Sequence, residues 1–264
     1  MVIMSRYIDE RVKAQLQPVL ASLVKPVKIV FFTQKNACSH CLEQEELLRE
    51  LSALSTKITV EVYDFVLNGD EVMNYKVDKI PATAVVGKRD FGIRFYGLTV
   101  GYEFTSLLQD IVMVSTERTG LDPRLEILAK TIAASVHLQI MVTLTCPHCQ
   151  KMVQVEHQLA FLNDNIRADM VELTEFPYLV QRYNVTGTPK TIINELYSFV
   201  GAVPVEQAYL EILKAVNPQE YQAHRKRNDS SVSWLKRKTG PSRQQLDLGK
   251  IIYAMSVDTQ TVKG

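Results

Sequence analysis

The chain has 264 residues and a mass of 29.9 kDa, room for two ordinary domains or one large one. Charged residues make up 22% and hydrophobic ones 46%, while 30 Lys plus Arg nearly cancel 29 Asp plus Glu; this excludes a disordered chain and any whole-chain attraction to nucleic acid or an anionic membrane. No apolar run approaches the roughly 18–20 residues of a spanning helix, and the first residues are broken by charge where a secretory signal needs an apolar core, so a soluble, cytoplasmic protein is expected.

An opening helix is predicted over about residues 5–24, with Pro18 expected to kink or split it. Val27-Lys-Ile-Val-Phe-Phe32 reads as a strand. It feeds into Cys38-Ser-His-Cys41 and a helix whose Leu47, Leu51 and Leu54 fall at i, i+4, i+7 on one face. A second strand (about 58–65), a short helix ending near Tyr75, a strand over 83–86 after Pro81, a hairpin return and a helix over 102–114 complete the unit. The series then recurs: a helix over about 122–134, the strand Val136-His-Leu-Gln-Ile-Met-Val142, then Cys146-Pro-His-Cys149 and its helix. A strand over about 167–173, a short helix ending near Tyr183, a strand over 191–193 after Pro189, a hairpin return and a helix over 205–216 follow.

The recurrence keeps register. The two cysteine pairs are offset by 108 residues, and Tyr75, Val77, Pro81 and Thr83 map at that offset onto Tyr183, Val185, Pro189 and Thr191. Each proline follows its first cysteine by 43 positions. The chain is therefore read as a duplicated α/β unit, residues 1–117 and 118–217. Beyond 217 the composition turns basic, with nine Lys and Arg against four Asp and Glu. Residues 218–264 are read as a tail, with linker over 224–231 and a short helical turn over 232–238.

All four cysteines fall into the two Cys-x-x-Cys pairs, so none is left for a structural bridge, and the pattern points to redox or metal chemistry. A strand feeding directly into such a pair puts Cys38 and Cys146 at a helix amino terminus, where unpaired N–H groups and the helix dipole favour a thiolate. They are expected to attack, with Cys41 and Cys149 resolving the mixed disulfide. His40 and His148, each just before a second cysteine, would add positive charge beside the thiolate; the competing reading is solvated helix-start residues. Pro147 is expected at the first helical position, where its missing N–H costs nothing. Glu43, Glu45 and Glu46 after the first pair, against Gln150 and Lys151 after the second, should disfavour the thiolate more at Cys38. Pro81 and Pro189 are either loop punctuation or cis prolines, Ile80–Pro81 and Thr188–Pro189, that face the sulfurs and offer backbone to an extended substrate. The metal alternative is a four-cysteine zinc or iron–sulfur site, against which stands the separation of 108 residues, since zinc pairs usually lie about 15–20 apart.

These residues resemble the thioredoxin superfamily, and more specifically the tandem thioredoxin-fold protein disulfide oxidoreductases, or glutaredoxin-like proteins. The resemblance rests on the doubled motif, on Lys25-Pro-Val-Lys-Ile29, on Phe95-Tyr-Gly-Leu-Thr-Val-Gly-Tyr-Glu-Phe-Thr-Ser106 and on the link into Val136-His-Leu-Gln-Ile140. It implies two thioredoxin-like folds, each a mixed sheet flanked by helices, with Cys38, Cys41, Cys146 and Cys149 as redox residues and Pro81 and Pro189 as cis prolines. It further implies oxidation, reduction or isomerisation of protein disulfides in the cytoplasm. Thioredoxin carries a buried acid six residues before its first cysteine; here Phe32 and Ile140 stand there, and the proton acceptor is expected to be missing. Residues 1–217 also resemble the amino-terminal region of the alkyl hydroperoxide reductase flavoprotein. With no Gly-x-Gly-x-x-Gly, no cofactor is expected, and electrons would come from a separate thioredoxin reductase-like flavoenzyme. Protein thiols and disulfides are the expected partners, a peroxiredoxin another. The alternatives are electron delivery to such a peroxiredoxin and a peptide-binding module without catalysis.

Overall fold

The computed structural model describes residues 7–229. The first helix, α1 (Glu10–Ala21), is capped by Asp9, whose carboxylate accepts from the Val12 N–H at 2.7 Å. It runs unbroken through Pro18, contrary to a split there, because Val12, Leu16, Val19 and Leu20 bury one continuous face. After it come β1 (Val27–Thr33), α2 (Cys41–Ser52), β2 (Ile58–Asp64), α3 (Gly69–Asn74), β3 (Ala82–Val86), β4 (Asp90–Tyr96) and α4 (Tyr102–Thr116). The second series is α5 (Pro123–Lys130), β5 (Val136–Val142), α6 (Cys149–Leu162), β6 (Ile166–Glu172), α7 (Tyr178–Arg182), β7 (Lys190–Ile193), β8 (Tyr197–Val200) and α8 (Val205–Val216). A final helix, α9 (Pro218–Asp229), replaces most of the linker expected over 224–231. The helical turn expected over 232–238, and the rest of the tail, lie outside the described residues.

The eight strands form one mixed sheet in the order β2-β1-β3-β4-β6-β5-β7-β8. Within each half, two parallel strands are followed by an antiparallel pair. β1 and β5 are nearly continuous apolar runs because both faces of the sheet are covered. Alternate residues serve two cores: Val27, Ile29 and Phe31 face α1, α2 and α4, while Val30 and Phe32 face the side of α3. The halves join through β4 and β6, which pair in parallel from Ile93↔Ala168 to Tyr96↔Val171. Above that seam α4 packs on α6, with the buried His157 Nδ1 at 2.5 Å from Asp110 Oδ2 and the His157 ring edge-on to Phe95.

Strand directions place the chemistry. β1, β4, β6 and β5 all run the same way, so the carboxyl ends of β1 and β5, from which both Cys-x-x-Cys segments emerge, open on one edge of the sheet. Three strands stand between them, a separation of about 19 Å at about 4.8 Å per strand. Four sulfurs so arranged cannot meet around one metal ion.

Candidate redox site

Cys38–Cys41 and Cys146–Cys149 are each closed as a disulfide with Cα atoms 5.5 Å apart. α2 begins at Cys41 with His40 as N-cap, and α6 begins at Cys149 with His148 as N-cap. The first cysteine of each pair therefore stands just ahead of the helix, and the second occupies its first turn. Pro147 precedes the N-cap rather than taking the first helical position, because the turn that closes the couple, with the Cys149 N–H on the Cys146 carbonyl at 3.3 Å, uses those residues before α6 starts. Burial is unequal within each pair: Cys38 is half-buried against 3% exposure for Cys41, and Cys146 is 9% exposed against 0% for Cys149.

The peptide bonds Ile80–Pro81 and Thr188–Pro189 are cis. Antiparallel pairing of Phe32 with Ala82, and of Met141 with Lys190, brings each proline to the strand end that leads into the cysteines. At the second couple Cys146 Sγ lies 3.6 Å from the Thr188 carbonyl oxygen. Each proline carbonyl accepts from a glycine N–H one strand over, Gly97 at 3.0 Å and Gly201 at 2.8 Å. Both glycines have φ of +101°, a conformation costly for other residues.

Around this shared geometry the two halves differ electrostatically. His40 Nδ1 is 2.7 Å from Glu43 Oε2. Burial acts to lower the His40 pKa, but the Glu43 bond and the nearby carboxylates Glu175 and Glu172 outweigh it and raise it. Glu172 and Glu175 belong to the second half; Glu175 Oε1 accepts from the Leu98 N–H at 2.5 Å and so reaches the β4–α4 loop of the first. His148 is exposed. Glu45, expected to repel the first thiolate, is engaged with Arg49 at 2.7 Å.

Each redox helix is also tied to the strand after its proline. Gln44 Nε2 donates to Thr83 Oγ1 at 3.2 Å and to Thr99 Oγ1 at 2.9 Å. In the second half Thr191 Oγ1, the repeat counterpart of Thr83, donates to Glu156 Oε1 at 2.5 Å. Burial pushes the Glu156 pKa up to about 8, against the opposing Thr191 bond. Glu103, in the first turn of α4, is raised to about 7 by burial, the Ser106 bond opposing. That turn adjoins the second couple, since a Cβ at Gly101 would come within 3.4 Å of the Leu144 carbonyl oxygen. Phe32 and Ile140 are indeed fully buried and apolar, and the buried carboxyls stand elsewhere. A helical-wheel reading could have found them: Glu103 shares a face with Leu107, and Glu156 with Leu159 and Ala160. A cavity of about 430 Å³, lined by Lys76, Arg89, Asp90, His137 and Arg167 among others, lies at the opposite sheet edge from both couples.

Comparison with known proteins agrees with this geometry. Residues 136–214 match the family model described as a thioredoxin domain. The F subunit of alkyl hydroperoxide reductase of Pseudomonas aeruginosa is 26% identical over 207 residues, 78% of this chain and 37% of that protein. An NADH dehydrogenase of Bacillus subtilis is 24% identical over 216 residues, 81% of this chain and 40% of that protein. The chain thus spans about two fifths of these curated relatives. The crystal structure of a protein disulfide oxidoreductase from Aeropyrum pernix superposes with a TM-score of 0.75 at 26% identity, covering 80% of this chain and 94% of that one. The NTD_N/C domain of the alkylhydroperoxide reductase AhpF from Enterococcus faecalis gives 0.72 at 25% identity, covering 76% and 97%. Residues 136–214 form a thioredoxin domain, and the chain has the tandem thioredoxin-like fold shared by protein disulfide oxidoreductases and the amino-terminal region of AhpF.

Proposed function

We propose that the chain is a thiol–disulfide oxidoreductase with two independent couples, Cys38–Cys41 and Cys146–Cys149. The observation that carries this reading is that both couples open on one sheet edge ahead of a helix, each beside a cis proline, with the less buried sulfur first. A substrate thiolate attacks Cys38 or Cys146 Sγ, breaking the couple and leaving Cys41 or Cys149 as the thiolate. A second substrate thiolate then attacks the mixed disulfide, so that two electrons enter the couple and the substrate leaves as a disulfide. Run backwards, the same exchange reduces a substrate. His40 and His148 tune the neighbouring thiolate, Pro147 shapes the second turn, and the backbone of Ile80–Pro81 and Thr188–Pro189 pairs with the substrate chain. The two catalytic units are residues 1–117 and 118–217, with 218–264 as an appendage, and the protein works in the cytoplasm.

The second reading, electron delivery to a peroxiredoxin, is favoured by the likeness to the F subunit of alkyl hydroperoxide reductase over 78% of the chain. Electrons would then enter from a separate flavoenzyme. Insulin precipitation driven by dithiothreitol tests the shared chemistry. The protein should accelerate it, Cys38→Ser and Cys146→Ser should each retain part of the rate, and the double variant should retain none. Rates equal to the uncatalysed control for wild type would remove the enzyme assignment.

A further inference from the structure

The cavity of about 430 Å³ lies where the two halves meet, at the amino ends of β4, β6 and β5 and away from both couples. The first half supplies the turn after α3 and the β3–β4 hairpin; the second supplies the segments that lead into β5 and β6. That hairpin is longer than its repeat counterpart. In each half a glycine N–H closes on the cis-proline carbonyl at the hairpin base, and Pro81 to Gly97 spans 16 positions against 12 from Pro189 to Gly201. The added length places Arg89 and Asp90 beyond the reach of the shorter hairpin, and Arg89 Nη1 pairs across the seam with Asp164 Oδ1.

Four permanent cations line the cavity, Lys76, Arg89, Arg94 and Arg167, against two carboxylates, Asp90 and Asp164. Arg94 is held on Asp90 and on the Tyr75 carbonyl at 3.1 Å. Arg167 meets Asp169, behind the wall, at 3.2 Å and donates to the Lys76 carbonyl at 3.1 Å. Even with Asp169 counted, the site is left positive. Lys76 is exposed, and among the described residues its ammonium makes no ion pair. Its backbone φ is +54°, a region that lysine disfavours; the repeat counterpart Asn184, at +48°, is a residue type that tolerates it. A lysine retained there against its conformational preference, unpaired and beside three arginines, supplies charge rather than structure.

We infer that this cavity binds a small organic anion bearing phosphate or carboxylate groups, held by Lys76 and Arg89 of the first half and Arg167 of the second. The volume falls in the range of small-molecule sites, about 300–1,000 Å³. The guanidinium forks match the geometry of an oxyanion, and Lys76 adds a point charge. Arg89 lies 4.3 Å over the Phe91 ring, which fixes the plane of its fork. A ligand so held touches both halves and strengthens the seam without approaching either couple. The site therefore stands apart from the exchange chemistry.

Calorimetric titration of the full chain with pyrophosphate and with citrate, against chloride at matched ionic strength, tests this. At least one of the two should bind at a single site with a dissociation constant below about 1 mM, and the tighter one identifies the acid group. Lys76→Asn removes the charge while suiting the backbone, so it should fold at least as well as wild type and bind about tenfold or more weakly. Asp164→Asn, which frees Arg89 from its carboxylate, should bind more tightly. At about 10 mM the bound anion should raise the wild-type melting temperature by about 3 °C or more, and that of Lys76→Asn by much less. No saturable heat from either anion up to about 10 mM, or an affinity that Lys76→Asn leaves unchanged, overturns the proposal.

Discussion

Glu156 is a carboxyl on the buried face of α6, and its burial makes the protein's stability depend on pH in a definite direction. In the native chain it holds its proton up to about pH 8, whereas an unfolded glutamate loses it near 4.5. Across that window the unfolded chain binds fewer protons than the native one, so stability falls as pH rises: the contribution of this one carboxyl is complete below about pH 4.5 and lost above about 8. Glu103 adds the same trend with an upper limit of about 7. Glu156→Gln keeps an acceptor for Thr191 but cannot ionise. The melting temperature of this variant should fall by several degrees less than that of wild type between pH 5 and 8, measured by circular dichroism; parallel curves would exclude an ionising Glu156. His40 offers a second residue-scale test. Its pKa is raised because the Glu43 bond outweighs burial, so Glu43→Gln should move the His40 midpoint down, read by two-dimensional NMR of the imidazole; an unmoved midpoint would deny Glu43 that role. At this scale the four cysteines and both prolines were legible because the repeat marked each of them twice. Glu103 and Glu156 were legible only as acids on apolar helix faces, and Glu175 was not legible at all, since it reaches the Leu98 N–H across elements that no local pattern connects.

Helices and strands were legible where periodicity was strong: α8 spans 205–216 as expected, and β2 and β6 shift by a residue at their ends. The pairing of β4 with β6 was not legible. β2 and β6 are repeat counterparts, yet β2 is an edge strand with half-exposed residues and β6 is buried almost throughout. The residues had already diverged to suit: Glu61 on β2 meets Lys28 near the surface, while its counterpart Asp169 is fully buried with its Oδ2 paired to His137 and Arg167. Burial opposes ionisation of Asp169, but those two partners hold its pKa below the usual carboxylate range. Gly92 lets β4 approach β6, with φ of +77° and space for a Cβ closed by the Ile166 carbonyl oxygen at 2.9 Å. Gly92→Ala should therefore cost about 2 kcal/mol, combining left-handed strain with displacement of a neighbouring backbone, and lower the urea midpoint accordingly. A midpoint equal to wild type would mean that the seam yields freely at this point.

Across the whole molecule, the duplication predicts two folding units and the continuous sheet predicts one. The seam decides between them. Cutting the chain between α4 and α5 would strip the parallel partner from β4, whose Ile93 and Phe95 are fully buried, and would leave Asp110 without His157 inside an apolar helix face. An unpaired strand edge and an uncompensated buried acid are each costly, so the halves should stabilise one another and unfold together. The second cysteine of each couple reports this separately for each half, because Cys41 is 3% exposed and Cys149 fully buried. In the reduced protein, alkylation by a brief pulse of iodoacetamide across a urea series, read by peptide mass spectrometry, should show both cysteines becoming reactive at one midpoint. Asp110→Ala, which breaks the buried pair at the seam, should lower that midpoint and begin to separate the two curves. If Cys41 and Cys149 already became reactive at well-separated urea concentrations in the wild-type chain, the seam would join the halves geometrically without coupling their stabilities.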